Sequence, residues 1–186
     1  MKVRRVAAFL LAALLVLTGC LSQSMSGTSS GQGESGGNAE TASPDVAEGE
    51  QVVNIGYSGP LSGPARYGRH VLNGIEMAAK EINGSGGFKV GGQTYKIRIV
   101  SLDDKYLPNE TGTNAKRLVQ QHKTPLIFIP HSGGVFATQV FNEQEGFIVA
   151  AYTSEPRIEE RGNRLTVGIP PKYDIYPSIF SKYVME

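Results

Sequence analysis

Four apolar residues, Leu126-Ile127-Phe128-Ile129, stand between Pro125 and Pro130. The prolines bar a helix from running through this stretch, because each removes a backbone donor and fixes φ. A run so short and so uniformly apolar suits a strand buried on both faces of a parallel sheet. Phe147-Ile148-Val149-Ala150-Ala151 and Leu165-Thr166-Val167-Gly168-Ile169 read the same way. Upstream, Val52-Val53-Asn54-Ile55-Gly56-Tyr57 is rich in β-formers. Tyr95 to Val100 alternates apolar with basic residues, which suits a strand near a sheet edge.

Helical periodicity separates these runs. Val71, Ile75, Ala78, Ala79 and Ile82 recur at helical spacing, and Gly84-Ser85-Gly86-Gly87 ends that helix. Pro108 opens a second helix, with Ala115, Leu118 and Val119 on its buried side. A third helix is expected from about Phe136 to Gln144, and a last one from near Tyr176. The alternation predicts an α/β fold, a doubly wound parallel sheet with helices on both faces. Ligands of such sheets bind beyond the carboxyl ends of the strands. Three loops fall there, 58–69, 131–135 and 152–156, all rich in Gly, Ser, Thr or Tyr. Their hydroxyls and backbone N–H groups suit a small anion.

The first twenty residues, MKVRRVAAFLLAALLVLTGC, read as an address. A basic start precedes the apolar run Val6 to Leu17, too short to span a bilayer core but matching a secretory signal. Leu17-Thr18-Gly19-Cys20 resembles the bacterial lipobox, so residues 1–19 are expected to be removed and Cys20 to be lipidated. Ser and Gly dominate Ser22 to Pro44, so residues 20–51 are expected to form a flexible tether. The folded part is then extracytoplasmic and anchored to the membrane through lipid on Cys20.

Cys20 is the only cysteine of 186 residues, which excludes a disulfide framework and a multi-cysteine zinc site. The net charge of +1 argues against a nucleic-acid partner held by bulk electrostatics. Catalytic motifs are missing. Gly56-Tyr57-Ser58-Gly59-Pro60 fails as a nucleophile elbow, because Gly follows Ser directly. There is neither a phosphate-binding G-x-x-x-x-G-K-[ST] nor a G-x-G-x-x-G after the first strand. His70, His122 and His131 lack metal-ligand spacing, and Asp103-Asp104 reads as capping or solvating a loop. Lys116, Arg117 and Lys123 read as solvated surface. No enzyme activity, cofactor or metal is expected.

An ordered set of short motifs carries a resemblance. It runs Ile55-Gly56-Tyr57-Ser58-Gly59-Pro60-Leu61-Ser62-Gly63-Pro64, Tyr67-Gly68, Asn73-Gly74-Ile75-Glu76, Glu81-Ile82-Asn83 and Asp103-Asp104. Ser132-Gly133-Gly134, Glu145-Gly146, Thr153-Ser154-Glu155-Pro156 and Arg161-Gly162 follow. From about Val53 onward the chain resembles type I periplasmic solute-binding proteins of branched-chain amino acid ABC importers, of the leucine/isoleucine/valine-binding kind. The resemblance implies a two-lobe trap that hands a small amino acid, or a related amide or zwitterion, to a membrane permease. Residues 52–171 would then be the first part of lobe one, and 172–186 the start of a crossover helix. On that comparison the chain reads as a fragment lacking most of a second lobe.

The resemblance also assigns roles. Ser132 is expected to donate its hydroxyl to the ligand carboxylate, assisted by N–H groups near Gly133 and Gly134. Thr153 and Ser154 match the loop offering a carbonyl to the ammonium and a second hydroxyl, and Tyr67 lines the side-chain pocket. His131 stands where many relatives carry a small residue, which leaves polar or aromatic ligands open. Each has a plainer rival: Ser132 as a helix cap, Thr153-Ser154 as turn chemistry, Tyr67 and His131 as packing. Two other functions are compatible with parts of this sequence. A sensor would use the same fold to signal to a membrane receptor or kinase, and an α/β-hydrolase-like lipoprotein would hydrolyse a chromogenic ester.

Overall fold

In the computed structural model the described residues are 51–185, together with the two-residue strand β1 at Thr41–Ala42. The signal, the lipobox with Cys20 and most of the tether lie outside them. The apolar runs form β2 (Val52–Gly59), β4 (Gln93–Asp103), β5 (Leu126–Ile129), β6 (Ile148–Ala151) and β7 (Thr166–Gly168). These five are parallel and ordered β4-β2-β5-β6-β7. β4 has only the two residues of β1 beyond it, as the alternation of Tyr95 to Val100 suggested. A short antiparallel strand, β3 (Phe88–Val90), pairs with the start of β4.

Helix α1 (Tyr67–Gly84) packs on one face of the sheet, and Leu72 and Ala79 join Tyr57 and Ile99 in a small core there. Helices α2 (Pro108–His122), α3 (Ser132–Thr138), α4 (Asn142–Glu145) and α5 (Arg157–Glu160) follow, with α2, α3 and α5 packed on the other face. There Leu102, Leu118, Ile127, Ile129, Val135 and Val149 are fully buried. Each such side chain contributes about 1.5–3 kcal/mol relative to exposure. The strand periodicity sorts the faces, since Ile127 and Ile129 point to this core while Leu126 and Phe128 are half-buried on the α1 side. The last helix, α6 (Ile175–Met185), buries no side chain.

Two expectations about helices need correcting. The third helix starts at Ser132 rather than near Phe136, and it stops at Thr138, with α4 separate from it. Both β3 and α5 are additional to the expected elements. They are three- and four-residue elements, too short to show a period. Also, Thr41–Ala42, within the segment read as tether, pairs antiparallel with β4.

The sheet order reverses direction between β4–β2 and β2–β5. The crevice at such a switch point is where loops diverge and a ligand gains access. The residues Gly59, Asp103, Ile129, Ala151 and Gly168 end the five parallel strands. The segments leaving those ends build the site.

Candidate functional site

Beneath the crevice lies a buried carboxylate. Asp104 immediately follows β4 and is fully buried. Its Oδ2 accepts hydrogen bonds from the Ser58 hydroxyl at 3.2 Å, the Thr111 hydroxyl at 2.8 Å and His131 Nε2 at 3.0 Å. Its Oδ1 accepts from the Tyr106 N–H at 2.9 Å. Ser58 in turn accepts from the Asn114 side-chain amide at 3.2 Å. So β2, β4, α2 and the segment after β5 meet at one acceptor. Buried polar groups persist only with their partners made, and this cluster is well supplied.

His131 caps α3. Its Nδ1 accepts from the Gly134 N–H at 3.0 Å, so the ring proton sits on Nε2, aimed at Asp104. Two of the sequence readings are affected by this arrangement. Ser132 is the first residue of α3 and not its cap. The Gly134 N–H is held by His131, and Gly133 lies against Pro108 and is not among the residues lining the cleft. His131 is 4% exposed and both its nitrogens are engaged, so it borders the cleft without a free polar atom to offer.

Asp103 organises the neighbouring loops. Its Oδ1 accepts from the Leu61 and Lys105 N–H groups, each at 2.9 Å, and its Oδ2 from the Ser62 hydroxyl. Burial alone would raise its pKa. The hydrogen bonds from Ser62, Leu61 and Lys105 outweigh that and hold it below the ordinary value. The two acids therefore do different work, one tying surface loops and one forming a buried hub. Among the described residues no group of three or more His, Cys, Asp or Glu is placed to hold a metal ion.

Above this floor opens a cleft of about 440 Å³. Tyr67, His131, Ser132, Thr153 and Ser154 all line it, brought from three separate loops. Pro130 and Pro170 contribute, as do three tyrosines that the sequence did not single out, Tyr106, Tyr152 and Tyr173. Tyr67 donates its hydroxyl to the Pro130 carbonyl at 2.9 Å. Burial, then the neighbouring Tyr106, pushes the Tyr67 phenol well above its ordinary pKa, so it stays protonated. Thr153 Oγ1 accepts from the Glu155 N–H at 3.4 Å, which is turn chemistry coexisting with exposure to the cleft. The Ser154 carbonyl accepts from the Tyr173 N–H at 2.9 Å. Next to Tyr173, buried Lys172 pairs with Glu159 of α5 at 2.9 Å, fixing the far wall.

Tyr106 reaches the cleft by an unusual backbone. Lys105 and Tyr106 have φ of 52° and 67°, left-handed values that side chains with a Cβ rarely adopt. Such residues cost about 1–3 kcal/mol each and persist only where surrounding bonds enforce them. Here the Asp103 and Asp104 carboxylates each hold one of the two N–H groups. The result sets the Tyr106 ring 4.7 Å from the His131 ring and 6.2 Å from Tyr67, edge-on to the latter. No motif marks this. The only hint is an aromatic residue in the short loop between a strand end and a helix-opening proline.

Thr111, His131 and Asp104 have the residue types of a hydrolytic triad but not its geometry. A triad needs the acid and the nucleophile on opposite ring nitrogens. Both Asp104 and Thr111 meet Nε2, and Thr111 is fully buried. With Nδ1 held by Gly134, His131 has no nitrogen left to activate Ser132.

Comparisons with known proteins agree with this layout. The profile of a family described as periplasmic binding protein matches residues 52–168. Over 114 residues the chain is 32% identical to an amino acid binding protein of Pseudomonas aeruginosa strain PAO1, covering 59% of this chain and 29% of that one. It is 27% identical over 139 residues to the Leu/Ile/Val-binding protein of Escherichia coli K12, covering 72% and 36%. The chain thus spans about a third of the length of the curated relatives it matches. Among solved structures, the branched-chain amino acid transporter substrate-binding protein LivJ of Streptococcus pneumoniae, in complex with isoleucine, superposes with a TM-score of 0.55. That match is 24% identical and covers 62% of this chain and 33% of that one, so it speaks to the fold.

Proposed function

Because this chain belongs to the periplasmic binding protein family, we propose that it forms the ligand-docking part of an extracytoplasmic solute-binding protein of an ABC importer. It takes a small amino acid or related zwitterion and passes it, chemically unchanged, to a membrane permease. One observation carries the reading. Residues from three loops, Tyr67, Ser132 and Ser154, share a single cleft beyond the carboxyl ends of parallel strands. That supports a role in binding, because crevices at the switch point of such sheets are where ligands lie. Ser132, Thr153 and Ser154 supply hydroxyls suited to a carboxylate, and the second jaw of the trap would close over them. The names of the two relatives, an amino acid binding protein and a Leu/Ile/Val-binding protein, favour an amino acid as ligand. The anchor is lipid on Cys20, and residues 20–51 serve as its tether up to the strand at Thr41–Ala42, where the chain joins the sheet.

The test is saturation-transfer NMR on the full chain with a panel of free amino acids at millimolar concentration. The expected result is transfer to at least one of them, reduced in Ser132→Ala. Absence of transfer across the panel, with the protein folded by circular dichroism, would reject the binding role.

A further inference from the structure

We propose that this cleft prefers a ligand carrying a flat aromatic ring and a carboxylate over one with a branched aliphatic side chain, and that Tyr106 sets the preference. The proposal rests on the solute-binding reading above. It concerns what the cleft selects.

The walls carry the argument. Ten residues line the cleft, and not one is Leu, Ile, Val or Met. A branched side chain gains affinity by matching apolar surface to apolar surface, and here it would meet mainly tyrosine rings and two prolines. Rings instead pair with rings, edge to face or offset, with centroids about 4.5–7 Å apart. The cleft already contains such a run. Tyr67 stands edge-on to Tyr106 at 6.2 Å, and Tyr106 lies tilted over His131 at 4.7 Å. Tyr106 and Tyr173 remain 50% and 60% exposed, leaving ring surface for a further ring.

The platform is also fixed in advance. Tyr67 is tethered by its hydroxyl to Pro130, His131 by both nitrogens, and Tyr106 through its N–H to Asp104. A rigid aromatic surface loses little side-chain freedom on binding. The left-handed backbone at Lys105 and Tyr106 points the same way. A strained aromatic residue, its N–H held by Asp104 and that of Lys105 before it by Asp103, is better explained by what it presents to the cleft than by packing, since it is half exposed. No Asp, Glu, Lys or Arg side chain lines this part of the cleft. Ser132, Thr153 and Ser154 are therefore the groups left to meet the ligand carboxylate.

The experiment compares L-tyrosine, benzoate and L-isoleucine as probes, by saturation-transfer titration on the full chain. At least one ring probe is expected to bind about fivefold or more tighter than isoleucine, the scale of one aromatic–aromatic contact. Benzoate alone binding would identify a simple aromatic acid, and tyrosine alone an aromatic amino acid; both support the proposal. Tyr106→Leu is expected to erase the ratio and Tyr106→Phe to keep it. Should Tyr106→Leu not fold, Tyr173→Leu, on a more exposed residue lining the same cleft, is expected to narrow the ratio. Isoleucine binding tighter than both ring probes would overturn the ring preference and leave the binding role standing. An unchanged ratio in the Leu variant would remove Tyr106 as its determinant. Silence from all three probes would overturn the ring preference. If the wider amino acid panel were silent as well, the binding role would fall with it.

Discussion

Asp104 Oδ2 and His131 Nε2 lie 3.0 Å apart with both side chains buried, joining the end of β4 to the cap of α3. One contact thereby holds together two of the strand ends that border the cleft. Replacing Asp104 by Ala leaves the donors of Ser58, Thr111, Tyr106 and His131 facing an apolar void. The expected loss is about 3 kcal/mol or more of unfolding free energy, read from a urea melt with little change in m. A loss under about 0.5 kcal/mol, the scale of an ordinary surface substitution, would contradict the hub.

Ser132 separates binding from stability. It is half-buried and does not cap α3, since His131 does. Ser132→Ala should leave the melting temperature nearly unchanged. It should weaken a bound amino acid by about 1.5–3 kcal/mol, the scale of a hydrogen bond to a charged group. Titration calorimetry with the tightest amino acid of the panel checks this, and an unaltered dissociation constant would reject the role.

The Glu155–Arg157 pair predicts an acid limb. The Arg157 side chain, 2.7 Å away, is the main cause holding the Glu155 carboxyl at about 2 against an ordinary 4.5. The folded pKa lies below the unfolded one. The contribution is therefore complete above about pH 4.5 and is lost as pH falls through about 2. The melting-temperature difference between the native chain and Glu155→Gln should be constant near neutrality and shrink across that window. Because the Arg157 side chain is largely exposed, the difference should be small and fall further in high salt.

Gly68 lies where α1 starts, and its carbonyl accepts from the buried Tyr57 hydroxyl at 2.7 Å. A Cβ there would press on the Pro60 carbonyl and come within 2.8 Å of that hydroxyl. Gly68→Ala is expected to cost about 1–3 kcal/mol, as overpacking does. It should also weaken ligand binding through its neighbour Tyr67. A thermal melt with a parallel binding titration reads both.

Cys20 is the proposed anchor. When the full chain is expressed in a bacterium fed labelled fatty acid, the label should enter the protein. Cys20→Ser should abolish that labelling and release the protein from the membrane fraction. Equal labelling of both forms would dismiss the lipobox reading.

Some of this was legible in one dimension. The Pro-bounded Leu126–Ile129 run, the apolar stripe of Ala115 and Leu118 and the glycines after Ile82 report local preference and burial, and these need only near neighbours. Elements of three or four residues such as β3 and α5 have no period to read. Tyr67, Ser132 and Ser154 stand in motifs that resemble those of a known family, and the fold brings them to one cleft.

Residue order by itself determined where the five main strands and the two long helices α1 and α2 fall, that those strands would be parallel, and which of their ends would border a crevice. Those follow from periodicity and chain connectivity. Only the tertiary structure decided that His131 would turn both ring nitrogens inward, to Asp104 twenty-seven positions away and to the Gly134 N–H, while it still borders the cleft. It also decided that Tyr106 would take a left-handed backbone to join the wall. The physical reason is the same for both. A buried polar group must find its partner wherever the packed chain supplies one; Ser58, Thr111 and His131 fix the Asp104 carboxylate from distant positions, and that carboxylate in turn holds the strained Tyr106 N–H two residues on.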